Sequence, residues 1–180
     1  MQVQKRDGQL EDLDIDKLHK VVMYAVEGIT GVSASEVEIN SHIQFFDKIS
    51  STDIQETLIK SAADLISEES PNYQYVGGRL INYHLRKEVY GTFTPPCLCD
   101  IIQKNIDIGF YDTEFTELYT KDEINQLQEY IDHDRDEYLT YAAMEQFRGK
   151  YLVQNRATGE IFETPQVAYI MIAATLFSKY

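Results

Sequence analysis

Val3-Gln4-Lys5-Arg6-Asp7-Gly8-Gln9-Leu10-Glu11-Asp12-Leu13-Asp14-Ile15-Asp16-Lys17-Leu18 packs a chain reversal and a helix start into sixteen residues. Val3 to Arg6 is short and extended, Asp7-Gly8 is a strong hairpin-turn signal, and Gln9 to Leu13 returns. Asp14 or Asp16 then caps a helix whose apolar positions are Leu18, Val21, Val22, Ala25, Val26 and Ile29. These follow the i, i+3, i+4, i+7, i+8 spacing of one buried helix face. Gly31 supplies the stop.

The pattern continues outward from this start. Ser33 to Phe46 is a second helix carrying Val37, Ile39, Ile43, Phe45 and Phe46. Ser50-Ser51-Thr52-Asp53 is a dense N-cap signal, with Thr52 and Gln55 at capping-box spacing, and the helix after it buries Ile54, Leu58, Ala62, Leu65 and Ile66. Pro71 opens a fourth helix to about Tyr90, with Val76, Leu80, Tyr83 and Lys87 along one face. Gly77-Gly78 inside it costs ~1 kcal/mol per glycine relative to alanine, and a close crossing is the packing reason for such a pair. Thr94-Pro95-Pro96 interrupts helix and marks a boundary. Beyond it, helices are expected near 97–108, 121–131 and 135–148. Tyr151-Leu152-Val153 and Ile161-Phe162 flank Arg156-Ala157-Thr158-Gly159 as a second short β-hairpin. A last amphipathic helix carries Val167, Ile170, Met171, Ala174 and Phe177, and its apolar side calls for a covering partner. The fold class is mainly α: a small β-hairpin plus four helices over residues 1–91, then a helical segment over residues 92–180.

Thirty acidic residues against 16 basic ones give a formal charge of −14 over 180 residues. Phosphate-backbone binding relies on a dense field of Lys and Arg, so no nucleic-acid partner is expected. A local cluster can still hold a small anion, and Lys5, Arg6, Lys17 and Lys20 gather in the first twenty residues. No run approaches the ~18 apolar residues of a membrane span, and no apolar stretch follows the early basic residues as in a signal peptide. No membrane partner and a cytoplasmic location are the expectation. Cys97 and Cys99 read as reduced thiols, because one intervening residue is not the usual zinc spacing. Asp132-His133-Asp134-Arg135-Asp136 mixes oxygen ligands with an imidazole. Acidic residues also favour a helix start, which is the simpler reading, and no metal is expected.

Read from composition, Lys5, Arg6 and Lys17 are a solvated basic patch balancing acidic neighbours. Resemblance changes that reading. Val3-Gln4-Lys5-Arg6-Asp7-Gly8 with Asp16-Lys17-Leu18 resembles the opening signature of the ATP-cone domain. Ser51-Thr52-Asp53-Ile54-Gln55 resembles its second conserved stretch. Tyr73-Gln74-Tyr75-Val76, Arg79 and Leu85-Arg86-Lys87-Glu88-Val89-Tyr90-Gly91 resemble its last helix. Ile131-Asp132-His133-Asp134-Arg135-Asp136 and Gly149-Lys150-Tyr151-Leu152-Val153-Gln154-Asn155-Arg156 are similar to the segment after the cone in class I ribonucleotide reductase large subunits.

The resemblance implies a pocket for ATP or dATP as effector. It would draw on Lys5, the run Glu11-Asp12-Leu13-Asp14-Ile15-Asp16-Lys17, Ser51 and Lys87. Lys5, Lys17 and Lys87 would neutralise phosphates, and Asp14 or Glu11 would accept from the adenine amino group or the ribose hydroxyls. Arg6, Gln55 and His84 complete the set, His84 standing three residues before Lys87. Two positions depart from the family pattern. Gln55 stands where regulated members often carry histidine, and Asp14 where asparagine is common. The family's catalytic cysteines belong to a later part of the subunit, and Cys97 and Cys99 match none of them. Expected partners are therefore the remainder of the large subunit and the radical-bearing small subunit. Two other readings stay open: a free-standing nucleotide-responsive cone protein, and a non-catalytic helical adaptor whose cone has lost its ligand.

Overall fold

In the computed structural model, residues 1–6, 8–42 and 44–179 are described. They fall into two compact units, one of residues 1–84 and 137–144, the other of residues 85–136 and 145–180.

The first unit opens with β1 (Gln2–Gln4) and β2 (Leu10–Asp12), paired antiparallel with Val3 opposite Glu11. The reversal is closed by the Lys5 amide donating to the Gln9 carbonyl at 2.8 Å and the Gly8 amide to the Lys5 carbonyl at 2.9 Å. Gly8 takes φ +84°, a conformation that glycine adopts without steric cost. Asp7, the other half of the expected turn, lies outside the described residues. Asp14 is the N-cap of α1 (Ile15–Val26), its side chain accepting from the Lys17 amide at 3.0 Å. The helix buries Leu18, Val21, Val22 and Ala25 as its spacing requires. It stops at Val26, short of Ile29, because the chain turns at Gly28 with φ +70° before it reaches Gly31.

α2 (Ala34–His42) is shorter than the span 33–46 expected from sequence, and it packs against α1 and α3 (Ser51–Asp64). Phe46 is exposed rather than part of a buried helix face, and Ile43 lies outside the described residues. Lys48 then adopts φ 64°, and the chain enters β3 (Ile49–Ser50), a strand the sequence reading did not contain. β3 pairs parallel to β1, with Ile49 beside Val3 and Ser50 beside Gln4, so the sheet order is β2-β1-β3. Two residues are too few to display a period of two.

The cap of α3 also differs. Ser50, not Thr52, is the N-cap, accepting from the Asp53 amide at 2.9 Å and donating to the Asp53 carboxylate at 2.7 Å. Thr52 is already helical, because the β1–β3 pairing fixes where extended chain ends. α4 (Tyr73–Tyr90) holds Gly77 and Gly78, and here the expected close approach is real. A Cβ on Gly77 would lie 3.2 Å from the Tyr141 side chain, and one on Gly78 would run into the Leu139 carbonyl oxygen. The neighbour is the returning segment 137–144 rather than another helix of the N-terminal stretch.

In the second unit, α5 (Leu98–Asp107), α6 (Glu114–Leu118), α7 (Lys121–Gln128) and α9 (Pro165–Leu176) enclose Leu98, Ile101, Ile102, Phe115, Ile124, Val167 and Ala174. The single helix expected over 135–148 is broken into a 3-10 helix (His133–Tyr138), α8 (Tyr141–Gln146) and a π-turn (Phe147–Tyr151). Thr140 makes the break, restarting the helix as its hydroxyl accepts from Ala143 at 3.3 Å and its carbonyl from Met144 at 2.9 Å. The second hairpin reduces to one antiparallel bridge, Gln154 to Ile161, closed by Asn155 donating to Glu160 at 2.8 Å. A longer ladder is prevented in part because the Val153 amide donates to the Glu163 carboxylate at 2.9 Å.

Candidate functional site

Register decides which candidate residues meet. Because β1 and β3 run parallel and in step, Lys5 and Ser51 leave the sheet side by side, at the end where α3 begins. Neighbouring strands are about 4.8 Å apart, so the Lys5 backbone borders the first turn of α3. Apart from the Asp53 amide, which Ser50 caps, the first amides of that turn have no partner within the helix, and the helix end carries a partial positive charge. β2 runs the other way, so the stretch Glu11-Asp12-Leu13-Asp14 carries the chain to the opposite end of the sheet, where the Leu13 amide donates to the Met1 carbonyl at 2.9 Å. α1 starts there with Ile15, Asp16 and Lys17. At about 3.3 Å per residue, three-residue strands hold the two ends about 10 Å apart, a span that a single nucleotide covers.

The charged groups are half-exposed or exposed and locally paired. Lys5 Nζ lies 3.1 Å from Glu11 Oε2, and Lys17 Nζ 3.4 Å from Asp14 Oδ2. The Lys17 amide donating to Asp14, aided by the Lys17 ammonium, holds that carboxyl below the usual carboxylate range. Asp14 is thus an ionised cap at pH 7, and its Oδ1 is committed to the helix start. Arg6 stands exposed in the hairpin turn, and Glu11 and Asp12 project exposed from β2. Gln55 is half-buried one turn into α3.

His84 is buried on α4, with Nε2 3.6 Å from Oε1 of Glu56, the residue after Gln55. Lys87 follows one turn later along α4, past the point where the second unit begins. Glu56 was not among the sequence candidates. Its i+1 position beside Gln55 gave no signal, since only the α3–α4 geometry turns it toward His84. Among the described residues, no three His, Cys, Asp or Glu side chains gather as a metal ion would need. No helix there is long and apolar enough to cross a membrane.

The ATP cone domain family matches residues 1–88. Ribonucleoside-diphosphate reductase 1 subunit alpha of Escherichia coli (strain K12) is 53% identical over 178 residues, which is 99% of this chain and 23% of that protein. The corresponding subunit alpha of Haemophilus influenzae is 50% identical over 180 residues, 100% of this chain and 24% of its own length. That of Enterobacteria phage T4 is 40% identical over 172 residues, 96% of this chain and 23% of that protein. The chain spans about a quarter of the length of these relatives. Residues 1–88 are thus an ATP-cone domain, and the chain as a whole is similar, at about 50% identity, to the N-terminal region of class I ribonucleotide reductase alpha subunits.

Proposed function

We propose that this chain is the effector-binding region of a ribonucleoside-diphosphate reductase alpha subunit, taking ATP or dATP and so regulating deoxyribonucleotide synthesis. The observation that carries this reading is the parallel β1–β3 pairing, which sets Lys5 beside the α3 N-terminus. Lys5, Ser51 and the first amides of α3 suit the phosphates at that end, with Lys87 and Arg6 adding charge. Glu11, paired with Lys5 at mid-sheet, lies between the two ends. Asp12 to Lys17, at the other end, suit the base and ribose, with a backbone group accepting from the adenine amine. This moves Lys17 from the phosphate role expected of it. Gln55 and His84 then line the phosphate side through α3 and α4. Residues 1–91 are the proposed cone domain, and residues 92–180 begin the body of the subunit. Catalysis resides in the remainder of that subunit, with the radical-bearing small subunit as partner, in the cytoplasm. The exposed Tyr169, Ile172 and Leu176 of α9 suit burial against that remainder.

A second reading, an adaptor whose cone no longer takes nucleotide, draws on the ion pairs that engage Lys5 and Lys17. Calorimetry with ATP separates the two. Binding at millimolar ATP or below, weakened by about 1–3 kcal/mol in Lys87→Ala, is the expected result. No heat at millimolar ATP gives the adaptor.

A further inference from the structure

We infer that residues 137–144 are the element through which nucleotide in the cone acts on the chain beyond it; the inference rests on the nucleotide-binding reading above. Glu137 to Met144 form part of the first unit although they come more than fifty residues after His84. The chain therefore leaves this unit, returns for eight residues, and leaves again.

The returning segment is held by α1 and α4, two of the elements that carry candidate nucleotide residues. α1 begins at the Asp14–Lys17 end of the site, and two turns further its Tyr24 hydroxyl donates to Glu137 Oε1 at 2.8 Å. The Tyr24 ring also meets Tyr83 of α4, with centroids 6.1 Å apart. From α4, Arg79 donates through Nη1 to the Glu27 carbonyl at 2.6 Å and through Nε to the Glu137 carbonyl at 3.4 Å. One guanidinium thus ties the end of α1 to the returning segment.

Below that tie, Gly77 receives the Tyr141 side chain and Gly78 lets the backbone of 139–140 lie directly on α4, with no room for a methyl group at Gly78. Met144, fully buried, anchors the far end. A packed interior does not deform continuously, so helices in such contact move their neighbour when they move. Lys17 and Tyr24 are seven residues apart on one helix, about 10 Å of rigid rod. A shift of α1 or α4 on closing over a nucleotide is therefore delivered to 137–144 with no slack at Gly78. The route is a contiguous set of packed and hydrogen-bonded groups, and its coupling is directly measurable.

Hydrogen exchange with mass-spectrometric readout on the full chain, with and without saturating ATP, tests it. ATP is expected to slow exchange about threefold or more in peptides covering both 14–17 and 137–144. In Tyr24→Phe/Arg79→Gln, slowing at 14–17 persists and slowing at 137–144 is reduced, the Gly78 contact alone remaining. Heat of ATP binding with unchanged exchange at 137–144 in the wild type overturns this inference alone. So does a folded double variant that keeps the full response at 137–144. Absence of ATP heat removes it together with the nucleotide-binding reading. Should the double variant fail to fold, the wild-type measurement still decides.

Discussion

Asp136 and His133 lie three residues apart in one 3-10 helix, and burial drives their protons in opposite directions. Burial pushes the Asp136 carboxyl up to about 6, against the pull of the Gln166 amide at 3.3 Å and of Arg86. Burial and then Arg86 push the His133 imidazole down to about 4, against the pull of Asp132 and Asp134. Between about pH 4 and 6 the folded protein keeps a proton on Asp136 that the unfolded chain has lost, so this group makes stability fall as pH rises. Over nearly the same window the unfolded chain holds a proton that folded His133 lacks, so this group makes stability rise with pH. The two slopes oppose each other. The contributions of these two groups to stability, read by chemical denaturation of the wild type against each variant, should therefore nearly cancel from pH 4 to 6. Asp136→Asn should uncover a rising slope and add roughly 1–3 kcal/mol at pH 7, and His133→Asn should uncover a falling one. A steep wild-type curve unaltered by either change would contradict this. At Gln55 the relevant chemistry is fixed neutrality: glutamine donates and accepts at constant charge, whereas histidine titrates. ATP and dATP differ by one hydroxyl, so their affinities here should lie within about tenfold, ~1.4 kcal/mol. Gln55→His should widen that gap in calorimetry.

At the scale of elements, the start of α3 gives the sharpest test of how the cone is built. Ser50→Ala removes the cap that accepts from Asp53 and should cost about 1 kcal/mol in urea unfolding, whereas Thr52→Ala should cost a few tenths at most. The reverse order would restore the Thr52–Gln55 capping box. That box was a fair inference from spacing, and it failed for a physical reason: spacing cannot show where a neighbouring strand pins the chain. The same reason hid β3. Its two residues owe their extended form to β1, some 46 positions upstream, and nothing local announces that pairing. Local chemistry carried far better where it was self-sufficient. Asp14, one of the two cap candidates, and the α1 face of Leu18, Val21, Val22 and Ala25 follow from neighbours within one or two turns. Gly77-Gly78 was legible as a close approach, but not what approached, because the answer lies sixty residues downstream. Among the candidate site residues, charge beside a turn marked Lys5, Arg6 and Lys17 only as a solvated patch, and it was the resemblance to the ATP cone that made them candidates. The placement of Ser51 beside Lys5 needed the parallel register.

At the scale of the molecule, the first unit is discontinuous in sequence, and a fragment ending at residue 91 lacks Leu139, Tyr141 and Met144. Amides of residues 77–81 should exchange at least about tenfold faster in that fragment than in the full chain, since the α4 surface they share is then open to water. Equal rates would show that the returning segment adds nothing to the cone. The middle position of β1 in the sheet has a consequence for how the protein is made. On a ribosome adding about 5–20 residues each second, β1 meets β2 almost at once but waits roughly 2–9 s for β3. The glycine face of α4 stays bare for a further interval of several seconds, until residues 137–144 emerge. A nascent cone thus passes through a stage with a two-stranded hairpin and an open sheet edge. Translation speed across residues 13–50, rather than the stability of the finished sheet, sets how long that edge is available to a neighbouring nascent chain.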